Sequence, residues 1–433
     1  MEIEILVTGE ELLCGSVLDA NSAYIADRLL RESLSTSRHT VVGDDLREIS
    51  AALLDSSSRA DVLLVTGGLG PTNDDLTAEA ASEASGRPLA TSPDSGFPFP
   101  EGARLIDNPV GTAPGFALRI GACELYFLPG VPEEMRSMFE EFVLPEICSR
   151  SESSELKMGV SKLGRRSLVC FAVSESVVDE ILETISASVP GLKVCVCARA
   201  PEVRIDLRIE RPTEEEAEGL LAEVVNACER EFGEHLISSD GSSVYEVVAS
   251  LLTSSSARLA IAESCTGGLI AHLLTQIPGI SESLLCSVVA YSNESKVDLL
   301  GVDARSIGRF GAVSKEVVGE MALGVREKTG ATFGLATSGV AGPSGGTPEK
   351  PVGTLCVAVS GESFLSCRKF SLCALRYGRT RRKELFAAYA VGELRKAMLA
   401  HFLLCPSADS GPFAAMAATY LWTINCGDFR YAK

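Results

Sequence analysis

Short apolar runs and longer amphipathic stretches alternate along this 433-residue chain, the first suiting buried strands and the second helices. Glu2 to Thr8 alternates and then turns apolar, which predicts a strand, and Asn21 to Leu30 follows with helical periodicity. Asp61 to Thr66 predicts a second buried strand, ahead of GGLGPTNDD at 67–75 and the helix-like TAEAASEA. Between about Lys157 and Ser239 the pattern runs strand, helix, strand, strand, helix, ending in TEEEAEGLLAEVVNACEREFG. That order suggests an α+β layer with its helices on one face of an antiparallel sheet, with Glu175 at a helix start acting in capping. Further strands are predicted at Arg258–Ala262 and Phe333–Ala336, each followed by glycine-rich sequence.

Length supports about three domains, with breaks expected near the serine-rich stretches Ser149–Glu155 and Ser238–Ser243. Across Ala90–Pro100 three prolines and a glycine exclude a helix. The 58 acidic residues outnumber the 39 basic ones, and the formal charge of −19 argues against nucleic acid as a partner. The opening MEIEILVTG lacks the layout of a signal peptide, and no apolar stretch has the length of a membrane span. We therefore expect a cytoplasmic chain with no membrane partner. The fourteen cysteines are scattered, many within strand-like runs such as Cys195 and Cys197, and read as buried reduced thiols. The four histidines show no zinc-type spacing with cysteine.

Candidate chemistry gathers in AESCTGG at 262–268 and in Ser281, Tyr291 and Lys296 downstream. A strand leading through glycines into a helix offers free N–H groups to a phosphate or carboxylate. A serine hydroxyl needs a neighbour to take its proton, and a desolvated lysine can do so, with a tyrosine relaying or orienting it. Cys265, at the same helix start, is the competing nucleophile because a thiolate would be favoured there. TSGVAGPSGGTPEKPVGT at 337–354 is dense in glycine and proline and suits a ribose or phosphate cradle. Near the N-terminus, glycines after a strand with nearby Asp75, and Asp44 in VVGDD, suit a phosphate-bearing ligand with a divalent cation.

AESCTGG, VVAYSNESK, GAVSKE and TSGVAGPSGGTPEKPVGT, in that order, resemble the C-terminal domain of the CinA family, the nicotinamide mononucleotide deamidases. TGGLGPTNDDLT, NPVGTAPGF and LPGVPEEM resemble the molybdopterin-binding-like domain that opens CinA proteins. The resemblance implies an α/β protein with a doubly wound molybdopterin-binding-like domain at 1–152 and a small KH-like α+β linking domain at 157–240. An α/β deamidase domain would follow at 244–404, with an atypical tail at 405–433. It implies hydrolysis of nicotinamide mononucleotide to nicotinate mononucleotide and ammonia without a cofactor. Ser281 would be the nucleophile and Tyr291 and Lys296 its activators. Ser264, Thr266, Gly267, Ser338, Gly339 and Gly342 would contact substrate. Arg376 is the first candidate for the phosphate and Arg379 the second, whereas Arg381 and Arg382 are read as a solvated face of the following helix. For the N-terminal domain the resemblance implies an ADP-ribose pyrophosphatase using a divalent cation such as Mg2+ at Asp75 and Asp44. A nucleotide-binding regulatory protein is the non-enzymatic alternative. A homodimer is expected.

Overall fold

The computed structural model describes residues 1–32, 34–92, 96–158, 162–373, 377–404 and 430–431. The chain folds as two compact units, Met1–Lys162 and Leu163–Lys433.

The first unit contains strands β1 (Ile3–Thr8), β2 (Thr36–Val42), β3 (Val62–Thr66), β4 (Leu89–Thr91), β5 (Pro98–Pro100), β6 (Arg104–Ile106), β7 (Gly115–Ile120) and β8 (Cys123–Leu128). Six of them form one sheet in the order β2-β1-β3-β8-β7-β6. The four strands β2, β1, β3 and β8 are parallel, while β7 and β6 run antiparallel at the edge. Side-chain alternation covers both faces. Ile3, Ile5, Val7, Val62 and Leu64 pack with Ile25 and Leu29 of the helix Asn21–Arg31, and Leu6, Leu63 and Val65 pack with Ile49 and Leu53 of the helix Leu46–Ser57. The sheet is therefore doubly wound. The proline-rich Ala90–Pro100 stretch is not helical: β4 and β5 pair as a small antiparallel sheet, residues 93–95 lying outside the described ones.

The serine-rich stretch at 149–155 does not form a linker. It lies inside the helix Leu144–Met158, because SESSELK carries helix-forming Glu, Leu and Lys and no proline or glycine.

The second unit opens with β9 (Lys162–Phe171), β10 (Lys193–Arg199), β11 (Glu202–Arg211) and β12 (Leu236–Ser238), ordered β10-β11-β9-β12. Val203, Ile205, Leu207 and Ile209 of β11 face the helices Glu175–Ala187 and Glu214–Phe232 in one core, which leaves the alternate positions on the other face. Ser174 caps the first of these helices, with Glu175 in its first turn.

The remaining strands are β13 (Leu259–Glu263), β14 (Leu284–Val289), β15 (Phe333–Gly339), β16 (Thr354–Ser360), β17 (Phe364–Ser371) and β18 (Arg430–Tyr431), ordered β14-β13-β15-β16-β17-β18. β14, β13 and β15 are parallel, so their carboxyl ends share one edge. Leu259 and Ile261 face the helices Val244–Ser254 and Arg379–Leu404, while Ala260 and Ala262 face the helix Lys315–Thr329. Among the described residues no helix is long and apolar enough to cross a membrane. Apart from Arg430 and Tyr431, the tail at 405–433 lies outside the described residues.

Candidate active site

The carboxyl ends of β13, β14 and β15 bring most of the candidate residues together. β13 ends in Glu263, and Ser264 to Gly268 then turn sharply into the helix Leu269–Thr275. Gly267 and Gly268 both take left-handed backbone, at φ of 62° and 88°, which a side chain would resist. The turn is tied to β15 through the Thr266 and Thr337 hydroxyls, 2.9 Å apart and buried. Ser338, buried at the end of β15, donates its hydroxyl to the Ala312 carbonyl at 2.8 Å and so joins the GAVSKE segment to the edge. Gly339 is small by necessity, since a Cβ there would stand 2.6 Å from the Thr354 carbonyl and 3.2 Å from Cys265 Sγ.

The helix start does not offer open N–H groups. The Glu263 carboxylate, wholly buried, accepts from the N–H groups of Gly268, Ile270 and Ala271 at 2.9–3.2 Å. An anionic ligand cannot use donors that an internal carboxylate already fills. This corrects the reading of the turn as a phosphate site. The sequence carried a signal for it, since an acid directly after an apolar strand must be paired if it is buried.

Lys296 is buried, 1% exposed, in the helix Asn293–Leu300. Its Nζ donates to the carbonyls of Ala290, Tyr291 and Ser292 at 3.0, 3.2 and 3.3 Å. Burial lowers its pKa, because an ammonium loses water there. Ala290 in turn donates its N–H to the Glu263 carbonyl at 2.9 Å, which puts the lysine head beside the chain at Ser264. Cys265 lies within electrostatic range of the same amine. Its thiol is fully buried and pushed up to about 12, so a thiolate is disfavoured rather than favoured.

Ser281 stands elsewhere. It sits exposed in the short turn Ile280–Glu282 that enters β14, next to Ser283, whose carbonyl accepts from Leu259 at the start of β13. Tyr291 and Lys296 follow the far end of β14, and the five steps between its six residues, at roughly 3.3 Å each, put on the order of 17 Å between the two ends. The ten-residue separation in sequence is a strand length, not a contact. Ser264, directly after the carboxyl end of β13, lies at the same edge of the sheet as the amine.

Three cations ring the same edge. Arg379 bridges the exposed Tyr291, its Nη2 donating to the phenol oxygen at 3.0 Å, and the Gly342 carbonyl, reached by Nη1 at 2.5 Å. Arg382 donates to the Ala341 carbonyl at 3.4 Å, and a Cβ on Gly267 would come 3.4 Å from Lys383 Nζ. Arg382 is thus not part of a solvated face. It and Lys383 were missed because the first turn of a helix points along the chain entering it, not along its later periodic face. Arg376 lies outside the described residues.

In the first unit, Asp44 and Asp75 line one cleft of about 360 Å³ at the carboxyl ends of β1 and β3, together with Gly67, Gly68, Phe97 and Glu134. β2 and β3 flank β1 on opposite sides, so the cleft lies where the winding reverses. Both acids are already engaged. Asp44 accepts from the Glu10 N–H at 2.9 Å, and Asp75 accepts from the Thr72 N–H and hydroxyl at 2.9 and 2.6 Å. Among the described residues no group of three or more His, Cys, Asp or Glu could hold a metal ion.

Comparison with known proteins follows the same division. Residues 241–398 match the family model of the CinA C-terminal domain, and residues 4–148 match that of a probable molybdopterin binding domain. A CinA-like protein of Desulfosudis oleivorans is 43% identical over 422 residues, covering 92% of this chain and 100% of its own. The chain belongs to the CinA family. A second CinA-like protein, from Desulforapulum autotrophicum, is 39% identical over 92% of this chain and 99% of its own. Among solved structures, the competence/damage inducible protein CihA from Agrobacterium tumefaciens is 34% identical, covering 36% of this chain and 93% of its own with a TM-score of 0.34. The names of these CinA relatives state no reaction.

Proposed function

We propose that the C-terminal edge of this CinA chain hydrolyses the carboxamide of nicotinamide mononucleotide, with Ser264 as nucleophile and Lys296 as its base. The observation that carries the reading is the buried lysine, lowered in pKa, at the same strand edge as the Ser264 turn, with Arg379, Arg382 and Lys383 along that edge at Gly342, Ala341 and Gly267. The neutral amine takes the Ser264 proton as Oγ bonds to the carboxamide carbon. Collapse of the tetrahedral adduct returns that proton to the leaving nitrogen, ammonia departs, and water cleaves the serine ester to nicotinate mononucleotide. The three cations hold the phosphate through side chains, since the helix N–H groups are taken. Tyr291, exposed and accepting from Arg379 Nη2, orients that arginine.

Ammonia release from nicotinamide mononucleotide tests this. Ser264→Ala is expected to lower kcat by at least about 10³-fold, as loss of a nucleophile does, while Ser281→Ala leaves it unchanged. Loss on removing Ser281 with survival of Ser264→Ala would restore Ser281 and overturn this assignment. No release by the intact protein would favour a nucleotide-binding regulatory role.

The N-terminal cleft favours a second reading, hydrolysis of ADP-ribose, by its size and its place at the winding reversal. Its two aspartates, each occupied by turn N–H groups, do not form a cation cage, and no step is derived through one. Mg2+-dependent AMP formation from ADP-ribose that is lost in Asp75→Ala would support it.

A further inference from the structure

Cys195 and Cys197 are not buried, contrary to the expectation from their apolar surroundings. Both are exposed, on β10, the edge strand of the four-stranded sheet. Val194 and Val196 between and beside them pack on the helix-side core, so alternation puts both thiols on the opposite face. Across the ladder Cys197 pairs with Arg204 and Cys195 with Asp206. Lys193 and Arg199 extend the same face along β10, and Arg208 stands opposite Lys193.

We propose that Cys195 and Cys197 form a two-thiolate site for a soft monovalent cation of the Cu(I) type. Same-face residues two apart on a strand are separated by roughly 6.7 Å, whereas a disulfide needs Cβ atoms about 3.8 Å apart. An intrastrand disulfide would therefore require the backbone to buckle. Linear coordination does not. With metal–sulfur bonds of about 2.3 Å, the zinc–thiolate value, the sulfurs would stand roughly 4.6 Å apart, so each leans toward the other by about 1 Å. Soft thiolate ligands suit Cu(I) and zinc, and because zinc takes four ligands a two-thiolate pair favours linear Cu(I). On binding, each S–H gives up its proton, two protons leave per ion, and the bis-thiolate centre carries one net negative charge. Arg204 and Arg208 stand on that face beside the thiols, while its carboxylates are engaged elsewhere: Asp206 with Arg165 at 3.1 Å, Glu210 with Lys193 at 3.1 Å, and Glu202 with the Val244 N–H at 2.8 Å.

Titration of the reduced full-length protein with Cu(I), against a chromophoric Cu(I) chelator, reads the site. Wild type is expected to hold one more tightly bound Cu(I) than Cys195→Ser/Cys197→Ser, and either single variant is expected to lose that ion as completely as the double one. Both thiols are exposed, so the variants should keep the wild-type circular dichroism and melting temperature. Equal stoichiometry in wild type and the double variant would overturn the site, as would single variants that each retain half the difference. So would a thiol count showing that Cys195 and Cys197 oxidise to a disulfide with each other in air.

Discussion

Seating a lysine under three carbonyl oxygens has two opposed effects. The carbonyl dipoles suit an ammonium, but loss of water favours the neutral amine, and the balance lowers the Lys296 pKa below its ordinary value of 10.5. A base must be neutral, so deamidation is expected to rise with pH through that lowered value and then level off. Stability has the same sign. Below the lowered pKa both folded and unfolded chains hold the proton and the desolvation cost is fully present. Between it and 10.5 the unfolded chain binds more protons, so unfolding free energy climbs with pH. Urea titrations across the alkaline range should show this climb in wild type and its loss in Lys296→Met. At this scale the sequence revealed residue types better than partners. Ser264, Lys296 and Ser338 stood out in their motifs as candidates, but proximity in the chain put Ser281 beside the amine, because a motif does not show that a strand crosses the sheet between its parts.

Among the elements, the turn from β13 into the helix Leu269–Thr275 depends most on one side chain. Glu263→Ala leaves the buried N–H of Ile270 and its neighbours without an acceptor, and hydrogen bonds to a charged group are worth about 1.5–3 kcal/mol each. The expected cost is about 3 kcal/mol or more, read as a lower urea midpoint, with deamidation lost alongside because Ser264 is carried on the same turn. A variant as stable as wild type would show that the turn is held by its glycines alone. The strands themselves were legible, since short apolar runs marked β1, β3 and β13. The hairpin of β4 and β5 was not, because prolines announce only what cannot form.

For the whole molecule, two units with separate sheets and cores are expected to unfold in two calorimetric transitions. Gly324→Ala assigns them. A Cβ there would fall 1.8 Å from the Leu300 carbonyl, forcing the helix Lys315–Thr329 off its neighbour, at a cost of about 1–3 kcal/mol for such overpacking. Only the transition of the Leu163–Lys433 unit should move. A single transition shifted as a whole would mean that the units unfold together. The break expected at Ser149–Glu155 was misplaced, since serine content marks polarity and not the absence of packing, while the second unit carries two separate sheets, β10-β11-β9-β12 and β14-β13-β15-β16-β17-β18.

Because Glu263 occupies the helix start, the proposed discrimination between a phosphorylated nucleotide and its parent nucleoside would fall to the side chains of Arg379, Arg382 and Lys383, the first exposed and the others partly so. Such contacts are screened within a Debye length of about 10 Å at 0.1 M salt. The preference for the charged substrate should therefore fade as ionic strength rises, which a site lined with main-chain amides would resist.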